Sequence, residues 1–233
     1  MYTIRFGKRA LAGLMMNALE AFFLPMGNAM RGRHIRSADM GHEIFAHLFG
    51  VMEEDEDEDE TIYTITECNV ALTAKTAPGS TYVTVDTLWV KEALRVVIAP
   101  DTQYLGTCHT HPYRAEDDDE CPPRNFLHGA CEPTEEDEDS EPLEIPYVLD
   151  VVLTISNRNE ARNMRPRHVS RAMPNVLEWG LGKLYFLLSV NVRDEDGGFV
   201  PRSEVRLQLP RSIREMPPLP ADNYLNELAD ELL

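Results

Sequence analysis

The stretch Tyr147–Ser156, Tyr-Val-Leu-Asp-Val-Val-Leu-Thr-Ile-Ser, constrains the fold more than any other. Its β-branched residues favour extended backbone. A nearly continuous apolar run of this length reads as a central strand covered on both faces. A chain that contains it must build a sheet around it, and at 233 residues there is enough chain for a substantial core.

The rest of the chain supplies further elements. Tyr2–Phe6 reads as a short strand. From Lys8 to Phe23, Leu11, Leu14, Met15, Ala18, Leu19 and Phe22 recur at steps of three and four, an amphipathic helix that Pro25-Met26-Gly27-Asn28 ends. Asn17 and Glu20 inside that apolar stretch, with no small-residue cleavage site, argue for a core helix rather than a signal peptide. The segment from His42 to Gly50 is densely apolar around Glu43 and reads as a buried strand or as a helix end leading into one. Thr61–Ala74 and Thr81–Val85 read as strands. A helix follows through Leu88, Val90, Leu94 and Val97, with Asp86 or Thr87 as its cap and Pro100 as its stop. Leu181–Val192 and Val205–Leu209 complete the strands, joined across Asp196-Gly197-Gly198, and Ala221–Leu233 reads as a short terminal helix with Tyr224, Leu225, Leu228 and Leu232 on one stripe. Strands alternating with helices predict an α/β layered domain.

Charge narrows the partners. The formal net charge is −18, and three runs carry it: Glu53–Glu60, Glu116–Glu120 and Glu135–Asp139. Outside them 22 acidic residues face 22 basic ones. Runs of like charge repel themselves and favour solvated surface loops. They exclude a basic footprint for nucleic acid and leave a basic protein surface as a partner for the acidic loops. No apolar run approaches the ~20 residues that span a bilayer, and the expected address is cytoplasmic. In that setting Cys68, Cys108, Cys121 and Cys131, which form no CxxC pair, read as free thiols rather than disulfides. Cys121, His128 and Cys131 fit no common finger spacing.

The chemistry concentrates in Gly106-Thr107-Cys108-His109-Thr110-His111-Pro112. On a strand, His109 and His111 point the same way, about 6–7 Å apart along the chain, and can share a metal ion. Pro112 halts the ladder and sets them at a rim. Residues 113–146 then form a long, charged, proline-rich insertion. Glu43 stands out upstream, since a carboxylate in an apolar stretch is rarely buried unless paired or linked to a metal. A hydrolytic zinc needs three ligands, an open position, a general base and a donor for the oxyanion. The chain offers two histidines, an acid after them, Glu43 and a hydroxyl beside that acid.

Glu43-x-x-Ala46-x-x-x-Gly50, then Gly106-x-x-His109-Thr110-His111-Pro112, then Thr134-x-x-Asp137 before an apolar strand, resembles the JAMM (JAB1/MPN/Mov34) zinc metalloprotease family. The resemblance covers roughly residues 1–160. It implies an α/β (α+β) fold, an MPN/JAB-like mixed central β-sheet flanked by helices. Residues 1–160 would form the catalytic domain, with 113–146 as an insertion near the active site and 161–233 as a C-terminal extension on the same domain. It implies further that His109, His111 and Asp137 bind Zn2+, that Glu43 holds water and takes its proton, and that Thr134 stabilises the oxyanion. The implied activity is that of an isopeptidase cutting an amide bond at the C-terminus of ubiquitin or a ubiquitin-like modifier, whose extended tail would bind by strand addition beside the site.

The pattern departs from the family at three points. Ala46 stands for a glycine and Thr134 for a serine. Pro112 and Thr134 lie 22 positions apart, farther than the family places its serine. Either an insertion separates the two halves of the site, or Asp117, Asp118 or Asp119 is the third ligand. Asp137 is preferred because Pro133-Thr134-x-x-Asp137 keeps the hydroxyl and precedes the central strand. The competing functions are a metal-free MPN-type scaffold for protein assembly and a zinc hydrolase of small amides. His42 and His47 flank Glu43 and could line the site, but read first as packed or surface imidazoles; His34 and His168 carry no local support.

Overall fold

A computed structural model describes residues 1–23, 43–55, 57–71, 75–77, 80–82, 85–113, 148–157, 163–194 and 197–214. In chain order the elements are β1 (Tyr2–Phe6), α1 (Lys8–Phe23), β2 (Phe45–Asp55), β3 (Glu60–Val70), β4 (Lys75–Ala77), β5 (Ser80–Tyr82), α2 (Val85–Ile98), β6 (Gln103–Tyr113) and β7 (Leu149–Asn157). There follow β8 (Met164–Ser170), β9 (Met173–Leu181), β10 (Leu184–Val192), a 3-10 turn at Arg202–Glu204, β11 (Val205–Gln208) and the single-turn helix α3 (Arg211–Arg214).

Nine strands form one sheet in the order β11-β1-β3-β2-β6-β7-β10-β9-β8, while β4 and β5 make a separate hairpin. β6 and β7 run parallel, as do β1 with β3 and β1 with β11; the remaining neighbours are antiparallel. β11, at one end, packs against β9 and β10 near the other, so the sheet curls into a half-barrel. A single apolar cluster lines the concave side, with Ile4, Leu48, Ile65, Leu153, Trp179, Phe186 and Leu207 among its members. α1 buries Leu11, Leu14, Ala18 and Phe22 in the same cluster, as its stripe predicts. β7 is the sixth strand of nine, and Leu149, Val151, Leu153 and Ile155 point into this core. Its alternate residues Asp150, Val152, Thr154 and Ser156 are also buried, on the convex face.

The helix-flanked α/β architecture expected from the sequence is not what the chain adopts. Strand accounts for 58% of the described residues, and the sheet is a curled half-barrel rather than an MPN-like layer between helices. Two physical causes account for the difference. The stretch from residue 164 to 181, where no strand was expected, forms β8 and β9. β8 is an edge strand whose mostly exposed residues hide the apolar alternation on which a strand reading relies. Moreover, α2 leaves Val90, Leu94, Val96, Val97 and Ile98 exposed, so these residues do not cover the sheet as those of a layer helix do.

Two smaller expectations change with it. β10 and β11 are not partners across the glycine turn. β10 lies between β7 and β9, and β11 joins β1 in parallel, Tyr2 opposite Val205 and Ile4 opposite Leu207. The first acidic run is only partly a loop: Glu53–Asp55 belong to β2 and Glu60 to β3, leaving the tip between them as the turn. Among the described residues no helix is long and apolar enough to cross a membrane.

Candidate metal centre

The site is built by the register of β2, β6, β7 and β10. Opposite one another across these strands stand His47, Thr107, Asp150 and Asn191; one step along come Phe45, His109, Val152 and Ser189. The next step aligns His111 with Thr154 and Leu187. Thr110 N donates to Ile44 O at 3.1 Å and Ile44 N donates to Thr110 Oγ1 at 2.9 Å. Those two bonds keep Ile44 against Thr110, one residue past the last ladder pair Phe45–His109, and Glu43 is the next residue upstream. Ile44 is in the concave core, so alternation puts the half-buried Glu43 on the convex face. His109 and His111 therefore share one face of β6, and Glu43 stands just upstream of the neighbouring strand β2.

A bulge decides that face. Leu48 pairs with Gly106 but Phe49 pairs with Tyr104, so β6 carries one extra residue there. Leu105 and Cys108 both enter the core, three positions apart, which strict alternation forbids. Beyond the bulge, Thr107, His109 and His111 point to the convex side. Without it the histidines would follow Leu105 inward.

The two imidazoles lie with ring centroids 4.8 Å apart and planes at 51°. Two histidines bound to one tetrahedral zinc, with Zn–N near 2 Å, hold their rings about 5 Å apart, so the pair fits a shared ion. His109 Nε2 is buried and has no hydrogen-bond partner among the described residues. A buried nitrogen of this kind costs on the order of 1–3 kcal/mol unless something binds it, and a metal ion is one such group. Both histidines are half-buried.

Around the pair the face is polar and aromatic together. His47 is fully buried; its Nδ1 lies 3.4 Å from the Tyr104 hydroxyl, and its ring packs edge-on to Phe45 with centroids 5.4 Å apart. Burial, reinforced by the positive charge of Lys91, pushes the His47 pKa down to about 4, so the ring is neutral near pH 7. Thr107 Oγ1 donates to Asp150 Oδ1 at 3.5 Å, and Arg193 reaches Asp150 Oδ2 at 3.7 Å. The Cys108 thiol points to the opposite face, where burial raises its pKa well above the ordinary thiol value. It cannot join the histidines as a ligand.

The structure thus brings His109 and His111 together, and Glu43 lies two positions before β2, whose Phe45 pairs with His109. Thr134 and Asp137, the oxyanion donor and third ligand implied by the resemblance, lie outside the described residues, as do Asp117, Asp118, Asp119, Cys121, His128 and Cys131. Among the described residues no three His, Cys, Asp or Glu side chains converge on a metal position. His168 is exposed on edge strand β8. The sequence reading passed over Thr107, Asp150 and the placement of His47. Asp150 carried a usable signal: it is the lone charge in the most apolar strand, in phase with Thr154 and Ser156.

No protein-family profile matches this chain, and no curated protein sequence matches it. The roles of the convex-face residues therefore rest on their own chemistry.

Proposed function

We propose that this face is a zinc-dependent hydrolytic centre that cleaves an amide bond, with His109 and His111 as metal ligands and Glu43 as the general base. The observation that carries the reading is the histidine pair, with rings at 4.8 Å and a buried, unpartnered Nε2 on His109; Glu43 lies two positions before the adjoining strand β2. The layered fold implied by the JAMM resemblance is absent, so what carries over from that family is the chemistry of the donor set. Asp137 serves as third ligand and Thr134 as oxyanion donor in this reading. The substrate it implies is the C-terminal amide linkage of ubiquitin or a ubiquitin-like protein. β6 already has neighbours on both sides, β2 and β7, so the substrate tail approaches across the convex face rather than by adding a strand along β6.

A bound zinc ion supplies Lewis acidity, polarising the amide carbonyl and lowering the pKa of a water molecule to about 7. The protein does the rest. Glu43 takes the proton from that water and delivers it to the departing amine nitrogen. His109 and His111, fixed on a strand between two partners, keep their relative geometry through the reaction. Phe45, standing beside His109 on β2, shields the reacting atoms from bulk water.

Zinc stoichiometry and cleavage of a ubiquitin-tail amide test the proposal together. Wild type is expected to hold one zinc per chain, and His109→Ala to lose it. Glu43→Gln is expected to keep the zinc and to lose on the order of 100-fold or more in kcat. Asp137→Ala should release zinc whereas Asp119→Ala should not; the reverse would move the third ligand. A wild type that binds no zinc would leave the fold as a scaffold and end the hydrolase reading.

A further inference from the structure

β8 ends the nine-strand sheet and pairs only with β9 among the described residues. Its exposed side chains are basic in a chain whose net charge is −18: Arg165, Arg167 and His168 on the strand, and Arg171 at the turn into β9. Arg167 is already matched, since its Nε donates to Glu178 Oε1 at 2.8 Å. Arg165 and Arg171 have no acidic partner among the described residues. Interleaved with them along the chain, Met164, Val169 and Met173 are half-buried against Val176, Tyr185 and Leu187. The edge thus offers two unmatched guanidinium groups together with partly covered apolar side chains. Like charges on an open edge keep a second β8 from pairing with it, and the same charges attract an acidic segment.

α3 packs against β8, and Arg214, its last residue, is where the described residues end. Residues 215–233 contain five acids, Glu215, Asp222, Glu227, Asp230 and Glu231, and neither lysine nor arginine. Tyr224, Leu225, Leu228 and Leu232 lie among them. We propose that residues 215–233 dock in cis on β8, carboxylates against Arg165 and Arg171 and apolar residues against Met164, Val169 and Met173. Three considerations favour this occupant over an anionic partner in trans. The segment starts beside β8, and a short tether gives an effective concentration in the millimolar range. It combines acids with apolar side chains, as the edge combines arginines with them, whereas a nucleic acid brings phosphate alone to such a surface. A free polyanion must also approach a chain of net charge −18, while the tethered segment is already in place. Contacts of this kind weaken as salt screens them.

Chymotryptic cleavage after Tyr224 and Leu225 of the full chain, followed by mass spectrometry, reads the docking. A contact of about 100 μM affinity at millimolar effective concentration protects roughly tenfold relative to a synthetic peptide of residues 215–233. That protection is expected at about 0.1 M NaCl and should be lost by about 0.5 M. Arg165→Glu with Arg171→Glu should bring cleavage to within about twofold of the free peptide, with far-UV circular dichroism unchanged. Arg206→Glu, exposed on β11, should change nothing. Glu227→Arg with Asp230→Arg should also remove protection, and combining both pairs of reversals should restore it. A wild-type tail cut as fast as the free peptide overturns the proposal, as does protection that survives Arg165→Glu with Arg171→Glu. An unprotected tail on a chain that binds an acidic peptide or a single-stranded oligonucleotide through Arg165 and Arg171 also overturns it, and assigns β8 to a partner in trans.

Discussion

His47 is held neutral by its surroundings, and that has a measurable consequence at the scale of one residue. The folded pKa is about 4 and that of the unfolded chain about 6.5. Above pH 6.5 neither state binds the proton, and His47 makes no difference to stability. Between 6.5 and 4 the unfolded chain takes up the proton and the folded one does not, so stability falls as pH falls. The loss amounts to on the order of 2–3 kcal/mol by about pH 4.5. Urea unfolding of wild type and His47→Gln at about pH 7.5 and about pH 4.5 should show the variant losing less over that interval by this amount; equal losses would mean that His47 is hydrated in the native state. The sequence held no sign of this. His47 was one histidine among seven, and its burial against Tyr104 and Phe45 arises only when β2 and β6 pair. His109 and His111 differ: their two-residue spacing puts them on one face of any strand, so their mutual geometry was legible from sequence.

At the scale of the element, the bulge in β6 determines which way the histidine pair faces. Gly106 makes it possible, with φ 153° and a backbone so close to β7 that a Cβ would lie 1.9 Å from Leu149 O. No side chain fits there without separating β6 from β7. Gly106→Ala is expected to cost about 3 kcal/mol or more in urea unfolding. Because the bulge orients His109 and His111, the variant should also lose the zinc proposed for that pair. Gly13→Ala, in α1 with nothing within 4 Å of the added methyl, should instead gain about 0.5–1 kcal/mol. A Gly106→Ala variant as stable as wild type would mean that the bulge relaxes at no cost. The helices and most strands as far as β7 were readable from periodicity and turn residues, since α1 and β7 carry their own patterns. β8 was not, because its mostly exposed residues hide any alternation, and β9 was not, because Pro174, Asn175 and Gly180 interrupt a largely buried strand. α2 was readable as a helix, but its orientation was not. Lys91 Nζ donates to the carbonyls of Asn69 and Val70, which come from a different part of the chain.

For the whole molecule, the decisive event is the parallel pairing of β11 with β1, more than 200 residues apart. It sets Val205 and Leu207 into the concave core opposite Leu177 and Trp179, and so closes the curl. Leu207→Ala is expected to lose about 2–5 kcal/mol of unfolding free energy. Arg206→Ala, one residue away and facing outward, should stay within about 0.5 kcal/mol. Chemical denaturation of both variants checks the pair; a small loss at Leu207 would show that the half-barrel holds without its terminal strand.

By itself the sequence determined what local physics can encode. Periodicity set α1, the apolar run set a central strand, and the His-x-His spacing put two imidazoles on one side. It also placed the acidic excess in three runs. The sheet's curl, the neutral state of His47 and the direction in which His109 and His111 face were decided by tertiary structure. Each depends on which strands become neighbours, and the facing of the histidines also on the extra residue Leu105 in β6. Those are properties of pairings between distant segments, to which no local pattern of residues is sensitive.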